Sequence, residues 1–532
     1  MVTPRVLLAV VLSLAVLVGW NFLFPPTKPS SVPEMAQSNG SIPPDSQPVP
    51  QDKPNPAFTP AGKRVTITTP RYQAVINTAG GVIERFVLKD YTQTIQPDSP
   101  LIDLIQPYAL AKAPLAILWN GAPTWTVPWS IRGEDMTLAP GEAGTIQLAT
   151  RLGDVEMVRT LHFRADTYEI GEEIRLSNTG KAQTKGSLAA TLASAGLSTP
   201  DDKYNPTQIV YWTQSLEHEG DAKDLQTGIE SPQPVRWAGI ESHYFLMAAV
   251  PTSGDMILRA KQEDGIFRIA LVDNLVMDPN TTLVRTLSYY LGPKTEVDLA
   301  ALPRDLVAAI NYGFFDSIAK PLKRLLVFLA THTGGNYGVA IIILTIIIKI
   351  LFWPLSHKSY KSMEQMRRIQ PHMARIREKY ADDREKMNAE IMQLYKTYKV
   401  NPAGGCLPML LQIPVFFALY QALLGAIELR HAPFITHLPF TDILWLADLS
   451  AKDPLYITPL VMGATMFLQQ RMTPTAADPT QAKIMMAMPV IFTFLFLSFP
   501  SGLVLYWLVN NVLSIFQQWL LTRSSAKAHH GA

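Results

Sequence analysis

The sequence has little that would support catalysis or cross-linking. It contains one cysteine, Cys406, so no intramolecular disulfide can form, and no cluster of Cys and His has metal-ligand spacing. A GxxxxGK[ST] loop, a GxGxxG turn after a strand and an HExxH motif are also absent. These absences argue against an ATP motor, a dinucleotide enzyme and a metalloprotease. We therefore expect a protein that is not an enzyme, with no catalytic residues, no metal and no cofactor.

Charge is scarce as well. Only 17% of the 532 residues are charged, 48% are hydrophobic, and the formal net charge is +2. Such a weak overall field does not attract nucleic acid, so we expect no DNA partner. Few charges together with abundant apolar residues indicate a chain with both membrane and soluble parts.

The N-terminal 60 residues differ sharply from the rest. Residues 6–24 are an uncharged, mostly apolar run behind a short basic start, long enough to cross hydrocarbon. No small-residue cleavage motif follows, which favours a retained transmembrane signal anchor at 1–24 over a cleaved signal peptide. Residues 25–60 are crowded with Pro, Ser, Gln and Asn, which predicts a disordered linker.

Residues 61–300 contain many short β-rich segments separated by Gly, Pro, Asn and Asp. Examples are VTITTPRYQAVINTAGG, VEMVRTLHF, YEIGEEIRLSNTG and TTLVRTLSYYLG. Strands without intervening helical periods predict a large all-β sandwich.

Residues 301–334 have a helical period of apolar residues from Ile310 to Leu326, with basic residues among them. The pattern predicts an amphipathic helix, broken near Pro321, that lies in the membrane interface. The alternative is a helix packed on the sandwich.

The remaining chain, 335–523, holds five further apolar stretches, at 337–355, 407–429, 455–469, 484–499 and 503–521. With the anchor they make six transmembrane helices. The loop 357–405 carries 11 Lys or Arg against six acidic residues, so we expect it in the cytoplasm. Both termini, including a short tail at 524–532, then lie inside. The β domain lies outside, in the periplasm of a Gram-negative cell.

Lys349 interrupts the apolar run AIIILTIIIKILFW, where a charge costs roughly 3 kcal/mol even on lenient insertion scales. A hydrated cavity is the favoured surround. The alternative is snorkelling of the side chain to the interface near Pro354.

Polar residues recur at helical spacing on several of these spans, which favours a shared polar groove. They are Thr345, Lys349 and Ser356; Tyr506, Asn510, Ser514 and Gln517 or Gln518; Thr458, Thr465 and Gln469; and Gln421 with Glu428. The alternative is that each group only hydrogen-bonds between packed helices.

The segment 357–400 predicts a cytoplasmic helical hairpin, with a capping box from Asp382 to Glu385 before its second helix. Its helical positions include Met363, Met366, Met373 and Met387. Flexible thioether side chains suit varied apolar peptides, although simple pairing of the two helices explains them equally well. The basic residues around them are compatible with lipid headgroups, ribosomal RNA or water.

Three long motifs resemble the membrane core of the Oxa, YidC and Alb family. They are GNYGVAIIILTIIIKILFWPLS at 335–356, VNPAGGCLPMLLQIPVFFALYQALLGAIELRHAPF at 400–434, and DPTQAKIMMAMPVIFTFLFLSFPSGLVLYWLVNN at 478–511. The match covers about 305–521, and the anchor and outer domain resemble the Gram-negative members.

This resemblance implies a five-helix insertase core around a hydrophilic groove, and a periplasmic super-sandwich similar to sugar-binding epimerase-like domains. It places the groove's positive charge at Lys349, where family members usually have arginine. It also implies membrane protein insertion and chaperoning without nucleotide hydrolysis, in the bacterial inner membrane. The expected partners are nascent membrane proteins, membrane lipids and the Sec translocon, with the ribosome and the signal recognition particle receptor as further candidates. The loop at 437–446 is longer than in familiar relatives, and the sequence suggests no role for it.

Two other function classes fit parts of the sequence. A polytopic transporter or proton channel would use Lys349 and Glu428 as a coupling pair, but no inverted repeat or glycine-broken half-helix is evident. An envelope enzyme would use the β domain on glycans. Turnover of a sugar by that domain would favour the enzyme.

Overall fold

The computed structural model describes residues 61–121, 127–198, 204–400, 407–472 and 479–530. The predicted anchor and linker, residues 1–60, lie outside these ranges, as does Cys406. The described chain forms a β domain followed by a helical core.

Nineteen strands in three sheets build the described part of the β domain. A five-stranded sheet has the order β4-β3-β2-β1-β7, with β1 Arg64–Thr68, β2 Tyr72–Asn77, β3 Val82–Thr92, β4 Leu101–Asp103 and β7 Met136–Thr137. A nine-stranded sheet has the order β13-β12-β15-β16-β19-β10-β9-β8-β6, with β6 Ser130–Arg132, β8 Ala143–Leu152, β9 Val155–Arg164, β10 Glu169–Asn178, β12 Gln208–Trp212, β13 Leu216–Glu219, β15 Trp237–Glu241, β16 Phe245–Pro251 and β19 Thr282–Pro293. A second five-stranded sheet has the order β14-β17-β18-β11-β5, with β5 Ile117–Trp119, β11 Thr184–Ser194, β14 Ile229–Glu230, β17 Ile257–Glu263 and β18 Ile266–Met277.

The alternation of apolar residues explains the layering. In β9 every second side chain, from Val155 to Phe163, is buried, because successive strand residues face opposite sides of a sheet. β16 is buried along its whole length between β15 and β19. The pairings are antiparallel apart from β1 with β7. The predicted sandwich is therefore confirmed.

A charged pair lies inside the sandwich. The side chains of Arg159 on β9 and Glu172 on β10 form an ion pair and are fully buried. Arg159 also donates to the Leu115 carbonyl at 3.1 Å, and Tyr289 Oη donates to Glu172 Oε2 at 2.7 Å. Because each charge has several partners, the cost of burying it is offset.

Ten α-helices are described. They are α1 Ala222–Thr227, α2 Glu296–Ala300, α3 Asp316–His332, α4 Tyr337–Leu351, α5 Trp353–Lys379, α6 Arg384–Thr397, α7 Leu407–Leu424, α8 Ile457–Met472, α9 Pro479–Phe496 and α10 Ser501–His530. α3 packs on α4 and α7, α10 packs on α8 and α4, and α9 packs on α8. α10 includes most of the residues expected to form a short tail.

The prediction of a helix broken near Pro321 is wrong. α3 begins only at Asp316, after a 3-10 turn, and runs through Pro321 without a break. A proline this close to the helix start deprives only the carbonyl of Ser317 of its bond. Buried Leu326 and Ala330 hold the later turns against the core.

The stretch 337–355 is not one helix. α4 ends at Leu351 and α5 continues at an angle of 63° after Phe352. Pro354 explains the break, because proline suits the first turn of a new helix but not the interior of an old one. The spacing predicted that Ser356 and Lys349 share one helical face. Because the chain bends between them, they do not lie on one continuous face.

α5 and α6 form the predicted hairpin. Ile369, Met373 and Val400 make its small buried core, and the Tyr395 hydroxyl lies 3.8 Å from the Met373 sulfur. The second helix is capped by Asp383, whose carboxylate accepts from the Lys386 amide at 3.1 Å. The predicted cap at Asp382 is one residue too early.

By length and hydropathy together, no single helix in the described ranges is sufficient to cross a bilayer. The bent pair α4 and α5 is long and apolar enough only when the two helices are counted together.

A candidate polar site in the helical core

Lys349 lies where α4 meets α10. Its amino group donates to the Ser514 hydroxyl at 2.7 Å, and that hydroxyl donates to the Asn510 carbonyl at 2.7 Å. In the described part of the chain, no carboxylate forms an ion pair with Lys349. The partner of this amino group is thus a neutral hydroxyl rather than a carboxylate.

A third helix joins the same cluster. Gln412 on α7 donates from Nε2 to Asn510 Oδ1 at 3.3 Å. We call Lys349, Ser514, Asn510 and Gln412 the Lys349 cluster. It links α4, α7 and α10 through polar side chains.

Two further predicted groove residues lie on the same helices and are buried. The Thr345 hydroxyl donates to the Ile341 carbonyl of its own helix at 2.6 Å. The Tyr506 ring lies 6.4 Å from the ring of Phe416 on α7, centroid to centroid.

Other predicted residues lie elsewhere. Ser356 lies beyond the bend, and Gln421 lines a cavity of about 50 Å³ beside His243, Lys294 and Tyr312 of the β-domain side. Thr458 hydrogen-bonds through its amide to Asp453 at the start of α8, at 2.7 Å. These residues are not brought to Lys349.

Glu428 pairs with a different lysine. Lys323 on α3 is buried, and its amino group lies 3.0 Å from Glu428 Oε1, just beyond α7. The second carboxylate oxygen, Oε2, is buried with no hydrogen-bond partner among the described residues. The transporter hypothesis, which paired Glu428 with Lys349, does not match this geometry.

The hairpin methionines are placed differently from one another. Met373 is buried between α5 and α6 and Met366 packs against the same core, whereas Met363 and Met387 are half-buried outside it.

Two groups where the β domain meets the core have shifted pKa values. Burial lowers the pKa of His243 to about 4, with the nearby positive charge of Lys294 adding to the effect. Burial alone would raise the pKa of Glu241, but the charge of Lys294 and a hydrogen bond from His218 bring it down to about 2. Lys294 Nζ donates to Glu241 Oε2 at 2.8 Å.

Comparison with known proteins settles the family. A family model described as "60Kd inner membrane protein" matches residues 328–528, and one described as "YidC periplasmic domain" matches residues 64–325. The membrane protein insertase YidC of Maridesulfovibrio salexigens is 52% identical over 538 residues, which cover 98% of this chain and 99% of the relative. The corresponding protein of Nitratidesulfovibrio vulgaris is 50% identical, over 99% and 100% of the two chains. This chain belongs to the YidC family of membrane protein insertases.

Solved structures give weaker similarities. An active YidC insertase crystal structure is 18% identical with a TM-score of 0.35, and covers 86% of this chain and 92% of that one. A galactose mutarotase-like protein from Lactobacillus casei is 9% identical with a TM-score of 0.33, and covers 43% of this chain and 100% of that one.

The YidC family assignment confirms the predicted resemblance. The β sandwich corresponds to the family's periplasmic domain, and the helices correspond to its inner membrane protein model.

Sequence reasoning missed three polar residues of this YidC-family core. Gln412 joins the Lys349 cluster, Lys323 pairs with Glu428, and Asn511 donates to Thr465 on α8 at 3.5 Å. Gln412 and Asn511 each interrupt an apolar run, as Lys349 does, and that signal was available.

Proposed function

We propose that this protein inserts, folds and assembles integral proteins of the inner membrane, alone or beside the Sec translocon, without nucleotide hydrolysis. The observation that carries the proposal is the Lys349 cluster. Among the described residues the Lys349 amino group is bound by a hydroxyl and by no carboxylate, so it can pair with the acidic flank of an entering segment.

In the proposed mechanism the polar flank and the apolar stretch of the substrate meet different surroundings. The polar flank is hydrated and paired near Lys349, Ser514 and Asn510, with Thr345 and Tyr506 lining the adjoining turns. The apolar stretch slides between α7 and α10 into lipid. Burial of about 20 apolar residues supplies the driving force, so no nucleotide is required.

The proposed topology has six membrane-spanning segments, namely the anchor at 1–24 and five in the core. Both termini and the α5–α6 hairpin lie in the cytoplasm, and the β domain lies in the periplasm. The excess of basic residues on the hairpin supports this orientation. Met363 and Met387 are the hairpin residues that we propose for contacts with substrate. The ribosome and the signal recognition particle receptor are the proposed partners of the basic surface.

Depletion of the protein in its host tests the function. The measurement is the protease accessibility of a newly made small inner-membrane protein with a short translocated tail. Insertion should fail on depletion and return on re-expression. Normal insertion after depletion would contradict the proposed function.

Substitution at Lys349 tests the mechanism. Lys349→Glu should slow insertion of a substrate with an acidic tail by roughly tenfold, equivalent to about 1.4 kcal/mol in the barrier. Lys349→Arg keeps the charge and is the matched control. A substrate whose acidic tail residues are replaced by lysine should lose little with Lys349→Glu. Equal insertion of the acidic substrate by both variants would remove the charge from the mechanism.

A further inference from the structure

The segment between α7 and α8 contains an ordered β-hairpin, residues 434–446, which we call the α7–α8 hairpin. Its strands are joined by backbone hydrogen bonds from Phe434 to Leu446 at 2.9 Å, from Trp445 to Thr436 at 3.0 Å and from Leu438 to Ile443 at 2.9 Å. The turn is fixed further by the Thr441 hydroxyl, which donates to the Leu438 carbonyl at 2.9 Å. These bonds close the hairpin at its base, along its arms and at its turn.

The tip of this hairpin presents apolar side chains to the exterior. Phe440 is fully exposed, with a relative accessibility of 107%, and Ile443 is 51% exposed. Leu444 is exposed as well. Phe440 also has a φ of +66°, which a bulky residue rarely adopts. An ordered turn that holds a phenylalanine outward in a strained conformation is costly in water.

The base of the hairpin is attached to the ends of two core helices. Asn336, which caps α4, donates to the Phe434 carbonyl at 3.1 Å, and Phe434 packs where a side chain at Gly338 would collide with it. Trp445 Nε1 donates to Asp453 at 3.1 Å, and Asp453 accepts from the first turn of α8. The base of the hairpin is thus held at the level where α4 and α8 begin.

Exposed apolar residues also occur at the start of α8, the helix to which the base of the hairpin is bonded. Tyr456, just before α8, and Leu460 and Val461 in its first turns are exposed. The hairpin has no Lys or Arg, and its only carboxylate is Asp442. A protein interface usually has a polar rim around its apolar centre. An apolar tip with a tryptophan at its base, and an exposed apolar face on the helix that follows, instead have the composition of a segment at the membrane surface.

We propose that Phe440, Ile443 and Leu444 insert into the outer leaflet of the bilayer beside α8. This inference rests on the proposed function, because it requires α4 and α8 to enter the membrane from the side of the β domain. It assigns a role to the one loop for which the sequence suggested none. The hairpin then fixes the depth of the outer ends of α4 and α8 in the lipid.

Site-specific fluorescence quenching tests the proposal on the full chain. Phe440→Cys in a Cys406→Ser background is labelled with an environment-sensitive nitrobenzoxadiazole dye and reconstituted into phosphatidylcholine vesicles. Some of the lipid carries bromine on the part of the acyl chain close to the headgroup. Iodide is added to the buffer as an aqueous quencher. Phe494→Cys on α9, at a residue 71% exposed, is the control for the lipid-facing core, and Val276→Cys on β18, at a residue 55% exposed, is the control for water.

Bromolipid should quench the label at 440 and place it about 5–10 Å below the headgroup boundary, while iodide has little effect. Ile443→Cys should give the same result, and it repeats the test if the first variant folds poorly. Quenching by iodide alone overturns the proposal, since the tip is then in water. Protection from both quenchers also overturns it, because a protein then covers the tip. If bromolipid also fails to quench the label at 494, the result contradicts the proposed membrane-spanning core as well. Quenching at 494 but not at 440 refutes only the hairpin.

Discussion

Lys323 and Lys349, both on core helices, have different partners. Lys323 is neutralised by Glu428 at 3.0 Å, whereas Lys349 is bound to the hydroxyl of Ser514. A paired charge contributes little to the field beyond its own partner, while an unpaired one attracts any anion that reaches it. Lys349 is therefore the better candidate for contact with a substrate.

Residues of the β domain next to the core should make its stability depend on pH. The pKa of His243 in the folded state is about 4, below its ordinary value near 6.5, so the unfolded chain binds a proton first as pH falls. The free energy of unfolding should therefore be highest above pH 6.5, and it should fall by up to about 3 kcal/mol between pH 6.5 and 4. Glu241, with a pKa of about 2, should extend the loss below pH 4.5.

Urea unfolding of the full chain in detergent, followed by its far-ultraviolet β-sheet signal, measures this dependence. His243→Gln should remove the loss between pH 6.5 and 4 and leave the loss at lower pH. His162→Gln, at an exposed position on β9, is the matched control. The same pH profile in His243→Gln and in the parent would contradict the assignment.

Sequence reasoning identified Lys349 because a charge inside an apolar run is visible in one dimension. Its partner was not identifiable in the same way. Ser514 is 165 residues away, and any polar residue on another helix could have met it. The pairing of Lys323 with Glu428 depends in the same way on how α3 lies against α7.

At the scale of elements, the Lys323–Glu428 pair ties α3 to the end of α7. Replacing Lys323 by Met alone, or Glu428 by Gln alone, should destabilise the chain by roughly 1–3 kcal/mol, since a buried charge loses its partner. Combining Lys323→Met with Glu428→Gln should recover part of that loss, because no buried charge is then left without a partner. Thermal unfolding in detergent of the parent, the two single variants and the double variant gives the four values of the cycle. A double variant whose loss equals the sum of the single losses would show that the pair does not couple the two segments.

The α5–α6 hairpin depends on one buried methionine. Met373→Asp places a charge against Tyr395 and Val400, so the two helices should separate. Limited trypsin digestion should then cut the hairpin several-fold faster than in the parent. Met387→Asp, at a less buried position, is the control and should change the rate little. Equal rates for both variants would mean that the pairing does not depend on this core.

The elements that the sequence predicts best are those whose burial is one-sided. The alternation in β9 and β10 identified these strands, because one face of each is in the core. The continuity of α3 and the bend after Phe352 were mispredicted. Both involve prolines near a helix start, where the outcome depends on tertiary packing as much as on the ring itself.

At the scale of the whole molecule, the β domain and the helical core are joined by packed and hydrogen-bonded residues rather than by an extended linker. Phe315 stacks on Phe417 of α7 with ring centroids 5.8 Å apart, and Tyr312 covers Gly425. Arg430 reaches back to the Thr92 carbonyl at 2.7 Å. A cavity of about 680 Å³ separates the two parts beside this last contact.

Two deletions of different length test which part the insertion activity needs. Removing residues 64–293 should leave insertion in depleted cells close to that of the parent, because α3 and its contacts with α7 remain. Removing residues 64–315 should abolish it, since Tyr312 and Phe315 are lost as well. Protein amounts by immunoblot provide the control. Loss of insertion in a normally accumulated short deletion would mean that the β sheets themselves take part.

The bend after Phe352 has a mechanical consequence. α5 has 27 residues, so it extends about 40 Å from the joint that follows the turn of Lys349. A rotation of about 10° at that joint would move the far end of α5 by about 7 Å. A slight rotation beside Lys349 would therefore displace the tip of the hairpin by more than the pitch of one helical turn, about 5.4 Å.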